Sequence, residues 1–242
     1  EDSILRKNIE INEQIHAIFF ITEKKENNGK EFTFYLICII VFMLGLFKTF
    51  YSNYFNNLFR VFFNTSIRQT QLTEQLLQAK LPSFLLNIFF AISTGVYIWL
   101  LFKYDHPPKL LKSHLLLPFC IGGIGILYFA KYLLVKFMGW MGGMQEASDN
   151  YIFIIFLVNK IAGIILVPFI VILAFTFSSW IHNIILFSLL VLGLLFLSRY
   201  AKIFGILRFK FPLQPLHFII YVLAVEVIPI LIIYKLVIDY II

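Results

Sequence analysis

The fold is decided by one uninterrupted apolar stretch at residues 161–198, which reads IAGIILVPFIVILAFTFSSWIHNIILFSLLVLGLLFLS. None of its residues is formally charged, and it is too long for a single membrane span, which needs about 20 apolar residues to cross roughly 30 Å of hydrocarbon. The polar group SSWIHN at 178–183 has the side chains that commonly lie at a membrane interface. We therefore predict two transmembrane helices here, at about residues 151–177 and 184–203.

The composition of the 242-residue chain extends this interpretation to the whole protein. Hydrophobic residues make up 60% of it and charged residues only 14%, whereas a typical soluble domain has about 25% charged residues. A soluble globule of this size cannot bury so much apolar surface, and disordered chains have the opposite composition. Because the apolar runs are much longer than the ~10-residue alternating strands of a membrane barrel, we predict an all-α, polytopic integral membrane helix bundle.

The predicted bundle has about six transmembrane helices, each a long apolar run. They lie at about residues 32–50, 81–102, 115–135, 151–177, 184–203 and 216–238. With their connections they form a membrane domain at 32–242. A charged tail at residues 1–31 precedes it and is expected to lie outside the membrane.

The longest connection, residues 51–80, carries the pattern of an amphipathic interfacial helix. Its phenylalanine and leucine side chains recur at i, i+3, i+4, i+7 and i+8 from residue 55, with asparagines on the other face. Such a helix can lie in the headgroup region, and its aromatic side chains can also dock a partner protein. The candidate docking residues are Phe55, Phe59, Arg60, Phe62 and Phe63.

The distribution of basic residues predicts the orientation of the bundle. Eleven of the 20 Lys and Arg residues lie on the side that faces the cytoplasm if the N-terminus is outside, and five of the other nine lie in the tail. Basic residues next to spans favour the cytoplasmic side, so we predict a multi-pass membrane protein whose N-terminus lies outside the cytoplasm. The chain begins with Glu1, which fits either a removed signal peptide or numbering that starts inside a longer chain.

Five of the polar or charged residues inside the predicted spans are candidates for intramembrane hydrogen bonds or ion pairs. Lys131, Lys160 and Arg199 lie about 23–26 Å from the outer ends of their spans, a depth at which long side chains reach the headgroups. Glu226 lies about 12 Å from the inner end of its span, where a carboxylate must be protonated, paired or next to a wet cavity. Asn159 can form a hydrogen bond between helices.

Two interpretations of Glu226 are open. It can pair with Lys160 or Lys131 and hold the helices together, or it can belong to a proton or substrate site, next to a kink at Pro229. One acid and two bases do not form a relay, so we favour the structural interpretation.

No catalytic or cofactor motif is visible in the sequence. Cys38 and Cys120 lack metal-ligand and redox spacing, and no histidine has a second ligand at i+3 or i+4. Nucleotide-binding glycine loops and a Ser/His/Asp arrangement are also missing. We therefore expect no enzyme activity, no cofactor and no metal. The formal charge of +7 is explained by basic residues that meet anionic lipid, so no nucleic-acid partner is expected.

Several short motifs occur in a fixed order and include charged residues inside spans. They are YFNNLFRVFFN at 54–64, RQ at 68–69, EQLL at 74–77, AKYLL at 130–134, GW at 139–140, EA at 146–147, NK at 159–160, HF at 217–218, EVIP at 226–229 and YK at 234–235. Over about residues 32–238, this series resembles an integral-membrane family of unknown function from Bacteroidota, domain of unknown function number 4271. The resemblance implies a variable tail before the first span, which agrees with a periplasmic N-terminus, and it implies no particular activity.

Three classes of function were weighed on these observations. We favour a non-catalytic subunit or assembly factor of a bacterial inner-membrane complex, in protein export or envelope biogenesis. Its partners would be other inner-membrane proteins, in a hetero-oligomer, and the lipid bilayer. The alternative is a small-solute or proton-coupled transporter that uses Glu226 and Lys160. An enzyme acting on lipid-linked substrates would need acids, histidine or arginine gathered at one interface, and the charged loop residues are better explained as solvated.

Overall fold

A computed structural model of the chain describes residues 30–63, 75–105, 113–141, 143, 145–176 and 180–210. The predicted tail up to residue 29, the predicted sixth span at 216–238 and Glu226 lie outside the described residues. The described ranges contain six helices with defined bounds, and residues 75–78 are also helical. The six helices are α1 (Lys30–Phe50), α2 (Ser52–Phe63), α3 (Lys80–Asp105), α4 (Ser113–Met141), α5 (Gln145–Phe175) and α6 (Ile181–Lys210).

Five of these helices are long and apolar enough to cross a membrane. Their spanning segments are Glu31–Phe50, Lys80–Tyr104, Leu116–Met141, Ser148–Phe175 and Ile181–Lys202. Each coincides with one of the predicted spans. Within the described ranges no residue is in a strand, so the predicted all-α fold with membrane-spanning helices is confirmed.

The chain divides into two compact units, Glu1–Leu36 and Ile37–Ile242, with the division inside α1. In the first unit the described residues are the beginning of α1. The helix packing that follows is that of the second unit.

The central helix of the second unit is α5. In the most apolar part of each span, 72% of the residues are buried in α5 and 50% in α3, but only 6% in α4 and 11% in α6. Gly163 allows α3 to approach closely, since a Cβ atom there would lie 2.8 Å from Phe90 Cα. Gly95 of α3 faces α4 in the same way, because a Cβ atom built on it would lie 2.7 Å from Ile121 Cα. Such close approach through small residues is typical of helices packed in a membrane.

Side-chain contacts show that α3 and α5 run in the same direction. Lys160 contacts Ser83 near the start of α3, and Tyr104 near the end of α3 donates a hydrogen bond to the carbonyl of Leu173. The N-terminal parts of both helices therefore lie at the same end of the bundle.

The neighbouring helix α4 runs in the opposite direction. Its residues Ile121 and Tyr128 face Gly95 and Phe90 of α3, so the chain numbers rise along α4 as they fall along α3. Helix α6 follows α5 after a short connection and packs against it, so α6 is also antiparallel to α5. The C-terminal parts of α4 and α6 thus share the bundle end that carries the starts of α3 and α5.

Several helices extend beyond the apolar runs that predicted them. Helix α4 continues to Met141, α5 already begins at Gln145, and α6 continues to Lys210. Polar side chains are compatible with helix outside the hydrocarbon because the backbone hydrogen bonds are made within the helix. Lys136 and Asp149 lie on two of these extensions and form an exposed ion pair, with Nζ 2.6 Å from Oδ1.

Candidate functional site

The short helix α2 packs against α5 through one face. The buried residues of α2 are Tyr54, Leu58, Val61 and Phe62, which recur at i, i+4, i+7 and i+8. This face is rotated by about one residue, ~100° on a helical wheel, from the face that the phenylalanine spacing predicted. The amphipathic helix therefore lies with a tyrosine toward the bundle.

The rotation separates the predicted docking residues into two groups. Phe55, Phe59 and Phe63 form an aromatic ridge, with ring centroids 5.1 Å apart for the first pair and 6.4 Å for the second. Phe63 is 71% exposed, and Arg60 is also exposed. Phe62 is buried on the bundle side, so it is not accessible to a partner in this arrangement.

Lys160, in the middle of α5, is the centre of a buried polar cluster. Its Nζ donates hydrogen bonds to Ser83 Oγ at 2.6 Å and to Tyr54 Oη at 3.1 Å. It also lies 5.7 Å from the centroid of the Tyr54 ring, and only 5% of the residue is exposed. Among the described residues, no carboxylate lies within ion-pair distance of Lys160 Nζ. The buried cation is thus stabilised by neutral hydroxyl groups and an aromatic ring.

The three members of this cluster come from three different helices. Tyr54 is in the first turn of α2, and Ser83 is in the first turn of α3, directly after Pro82. Burial raises the pKa of Tyr54 above its ordinary value, and a hydrogen bond with Ser83 partly offsets this. Tyr54 is therefore a neutral phenol at physiological pH. Its oxygen can accept a hydrogen bond from Lys160, and its O–H can donate one to another group.

A second lysine contacts the other end of α2. Lys202 of α6 donates a hydrogen bond from Nζ to the carbonyl oxygen of Phe62, and its Nζ lies 4.6 Å from the Phe62 ring centroid. Two basic residues from α5 and α6 therefore hold α2 against the bundle. The structure brings neither Lys131 nor Arg199 into this contact; both are buried, in α4 and α6, and the Arg199 guanidinium lies 6.0 Å from the Tyr200 ring.

Asn159 is fully buried next to Lys160 in the chain. In the part of the chain that the structure describes, neither its Nδ2 nor its Oδ1 has a hydrogen-bond partner. The interhelical hydrogen bond predicted for it is therefore not present there. Glu226 lies outside the described residues, and its pairing with Lys160 or Lys131 stays a prediction.

A cleft of about 400 Å³ lies beside the Lys160 cluster, and its lining combines polar and apolar side chains. It is formed by the junction of α1 with α2 and by residues 75–82, which lead into α3. Asn57 Nδ2 donates a long hydrogen bond to Gln75 Oε1, 3.5 Å away, between these two segments. The lining residues are Phe50, Tyr51, Ser52, Asn53, Tyr54, Asn57, Gln75, Leu76, Ala79 and Pro82.

The cleft and its link to Lys160 could not be found from the sequence. Tyr54 and Ser83 are 106 and 77 positions from Lys160, and no spacing rule connects hydroxyl groups over such distances. The available signal was the tyrosine next to an amphipathic phenylalanine pattern, which gives no indication of its partner.

The donor set at this site favours anion binding over metal binding. Ammonium, hydroxyl and amide groups are donors to an oxyanion, whereas metal sites need several carboxylate, imidazole or thiolate ligands. Within the described ranges, no three such ligands come together.

Comparison with known protein families identified a match. The sequence profile of a family described as "Domain of unknown function (DUF4271)" matches residues 32–237. This range begins two residues after the start of α1 and includes all of α2 to α6. No curated protein and no solved structure matches the chain significantly.

Proposed function

The chain belongs to the DUF4271 family, as its ordered motifs predicted, and on that premise we propose that it is a non-catalytic subunit or assembly factor of a bacterial inner-membrane complex. Protein export or envelope biogenesis is the proposed setting. The observation that carries this proposal is the face of α4 that no other described helix covers, which combines large apolar side chains with glycines that pack against no described residue.

The uncovered face of α4 is extensive. Its exposed large side chains are Phe119, Ile126, Phe129, Leu133, Leu134 and Phe137. Gly122 and Gly123 are also exposed, and no described atom lies within 4 Å of a Cβ atom built on either of them.

The contrast with the packed glycines supports a protein partner for this face. Gly95 and Gly163 are each in contact with the backbone of a neighbouring helix, which is the usual role of glycine between membrane helices. A glycine inside a helix costs about 1 kcal/mol relative to alanine, and a lipid-facing position gains nothing that offsets this cost. Gly122 and Gly123 are therefore explained best by a helix of another protein that approaches α4 closely.

The test is purification of the tagged full chain from native membranes in a mild detergent, followed by quantitative mass spectrometry. We expect one or a few larger membrane proteins in stoichiometric amounts. The Gly122→Leu, Gly123→Leu double variant should lose them because the added side chains block close approach. Gly45→Leu on α1, where the space is also open, is the matched control and should retain them. A lone chain in mild detergent, or a partner that stays bound to the double variant, would contradict the proposal.

The alternative function is a small-solute or proton-coupled transporter that uses Glu226 and Lys160. Its support is the buried cation at Lys160, since charged groups inside membrane domains often mark transport sites. In proteoliposomes, loss of proton or solute flux in Glu226→Gln would support transport, whereas an unchanged flux would remove this alternative.

A further inference from the structure

We propose that the cleft between the α1–α2 junction and residues 75–82 binds the phosphate group of an anionic lipid headgroup. We call it the headgroup cleft; its residues are those named above as lining the cavity. This inference does not depend on the proposed subunit role.

The position of the headgroup cleft matches the depth of lipid headgroups. The spanning segment of α1 ends at Phe50, and that of α3 begins at Lys80. The cleft lies between these two ends, where the hydrocarbon core gives way to the polar part of the bilayer. A group bound there is therefore at the level of the phosphates of neighbouring lipids.

The described lining of the headgroup cleft provides hydrogen-bond donors, and none of its described residues is acidic. Tyr51, Ser52 and Tyr54 have hydroxyl groups, and Asn53, Asn57 and Gln75 have amide NH₂ groups. These groups can each donate to a phosphate oxygen. The volume of about 400 Å³ lies within the range of small-molecule sites, about 300–1,000 Å³, and is sufficient for a glycerophosphate headgroup.

The charge behind the cleft favours an anion there. Lys160 is buried, and within the described residues its cation has only neutral hydrogen-bond partners. A buried charge without a counter-charge is costly. Tyr54 connects the two sites, because it lines the cleft and its oxygen accepts a hydrogen bond from Lys160. A hydroxyl group that is polarised in this way becomes a stronger donor to an anion on its other side.

The surface beside the cleft favours a lipid over a free phosphate. Phe50, Leu81 and Phe84 are 77%, 71% and 63% exposed, and Phe50 lines the cleft. These side chains provide apolar surface beside the cleft. The acyl chains of a lipid whose headgroup is bound there can pack against this surface. Lys48 and Lys80 are exposed within two positions of lining residues and add positive charge at the rim.

The experiment measures lipid retention by the full chain in nanodiscs and in detergent, with phosphatidylglycerol and phosphatidylcholine as probes. Native mass spectrometry should show phosphatidylglycerol retained at least about tenfold better, because both lipids carry the phosphate but Lys48, Lys80 and Lys160 repel the trimethylammonium cation of phosphatidylcholine. Lys160→Met and Asn57→Ala should each reduce retention about tenfold. Asn183→Ala, an exposed amide at the other end of the bundle, is the matched control and should not change it.

Circular dichroism of each variant shows whether it is folded, and the half-exposed Asn57 keeps the test valid if Lys160→Met does not fold. Equal retention of both lipids, or unchanged retention in folded Asn57→Ala, overturns the proposal. Competition with free glycerol phosphate at millimolar concentration distinguishes a lipid headgroup from a free phosphate compound as the ligand. Failure to displace the lipid supports a lipid headgroup, and complete displacement overturns the lipid as the occupant.

Discussion

Lys202, near the end of α6, donates a hydrogen bond to the backbone carbonyl of Phe62, one residue before the end of α2. The last four carbonyl groups of a helix have no partner within the helix, and a cation at that end interacts favourably with the helix dipole. Lys160 of α5 contacts Tyr54 near the other end of α2. A helix of 12 residues, which is too short to be stable alone in water, is thus fixed at both ends by lysines.

Replacement of Lys202 should loosen the end of α2. In Lys202→Met, we expect faster hydrogen exchange in residues 52–63 and a loss of about 1 kcal/mol of local stability, because the capping cation is removed. Hydrogen exchange followed by mass spectrometry measures this change. Lys48→Met, which replaces an exposed lysine near the end of α1, should leave the exchange of α2 as it is. Unchanged protection of α2 in Lys202→Met would show that the cap contributes nothing.

The buried lysine should contribute less to stability than its hydroxyl partners. In Tyr54→Phe the cation remains but loses one acceptor, and we expect a loss of about 1–3 kcal/mol. In Lys160→Met the charge itself is removed, and the free energy of unfolding should fall less or even rise, as is common when a buried charge is replaced by an apolar side chain. Thermal unfolding of both variants in detergent gives the comparison. A larger loss in Lys160→Met than in Tyr54→Phe would contradict this account.

Glycines on the inner and outer faces of the bundle should respond differently to a methyl group. In Gly163→Ala the new Cβ would lie 2.8 Å from Phe90 Cα, so α3 and α5 must separate and the midpoint of thermal unfolding should fall. In Gly123→Ala no described atom lies within 4 Å of the new Cβ. The midpoint of thermal unfolding should therefore rise slightly, because alanine favours the helix by about 1 kcal/mol relative to glycine. Equal shifts in the two variants would argue against the close packing of α3 with α5.

The aromatic ridge of α2 should lie in the membrane interface. In a variant with Cys38 and Cys120 replaced by serine, a spin label at Phe63→Cys should be accessible to oxygen dissolved in lipid, because Phe63 is 71% exposed. A label at Val61→Cys, on the buried face, should be much less accessible. Electron paramagnetic resonance measures both positions. If the label at position 63 is accessible only to a water-soluble relaxation agent, the ridge faces the aqueous phase.

The bundle end that carries α2 should face the cytoplasm. Basic residues favour that side. Lys48 lies near the end of α1 and Lys80 at the start of α3, while Lys160 and Lys202 contact α2. In the same cysteine-free variant, Asn57→Cys should react with a membrane-impermeant maleimide in inside-out vesicles and not in intact spheroplasts. The reverse pattern would invert the predicted orientation.

The spans were predictable because the hydrophobic pattern alone determines them. The stretch at 161–198 divides near SSWIHN, the segment predicted to lie at the membrane interface, and α6 begins at Ile181, inside that segment. Lys131, Lys160 and Arg199 are buried, which was not predictable, because their depth along the spans is equally compatible with side chains that extend to the headgroups. The extensions at Gln145 and Met141 were not predictable, because polar residues continue a helix without an apolar signal.

The orientation of α2 was not predictable for a different reason. The segment 54–63 has apolar side chains around most of its circumference, so two neighbouring faces can be buried at similar gain. A tertiary contact, the hydrogen bond between Tyr54 and Lys160, accompanies the choice of one face over the other. Lys160 is far away in the chain, and periodicity within α2 has no information about it. The role of Glu226 lies outside the described residues and stays a prediction.

The chain order of α2, α3 and α5 bears on how the protein enters the membrane during synthesis. Segments leave the ribosome from the N-terminus onwards, so the hydroxyl groups of Tyr54 and Ser83 are inserted before Lys160 arrives. A lysine inside an apolar helix raises the free energy of insertion, by about 2.5–3.5 kcal/mol at the bilayer centre and by less near the headgroups, where Lys160 lies. When α5 leaves the translocon, the hydroxyl groups of Tyr54 and Ser83 are already in the membrane. The Lys160 ammonium group can therefore form its hydrogen bonds as α5 enters the bilayer, without an intermediate in which it contacts only acyl chains.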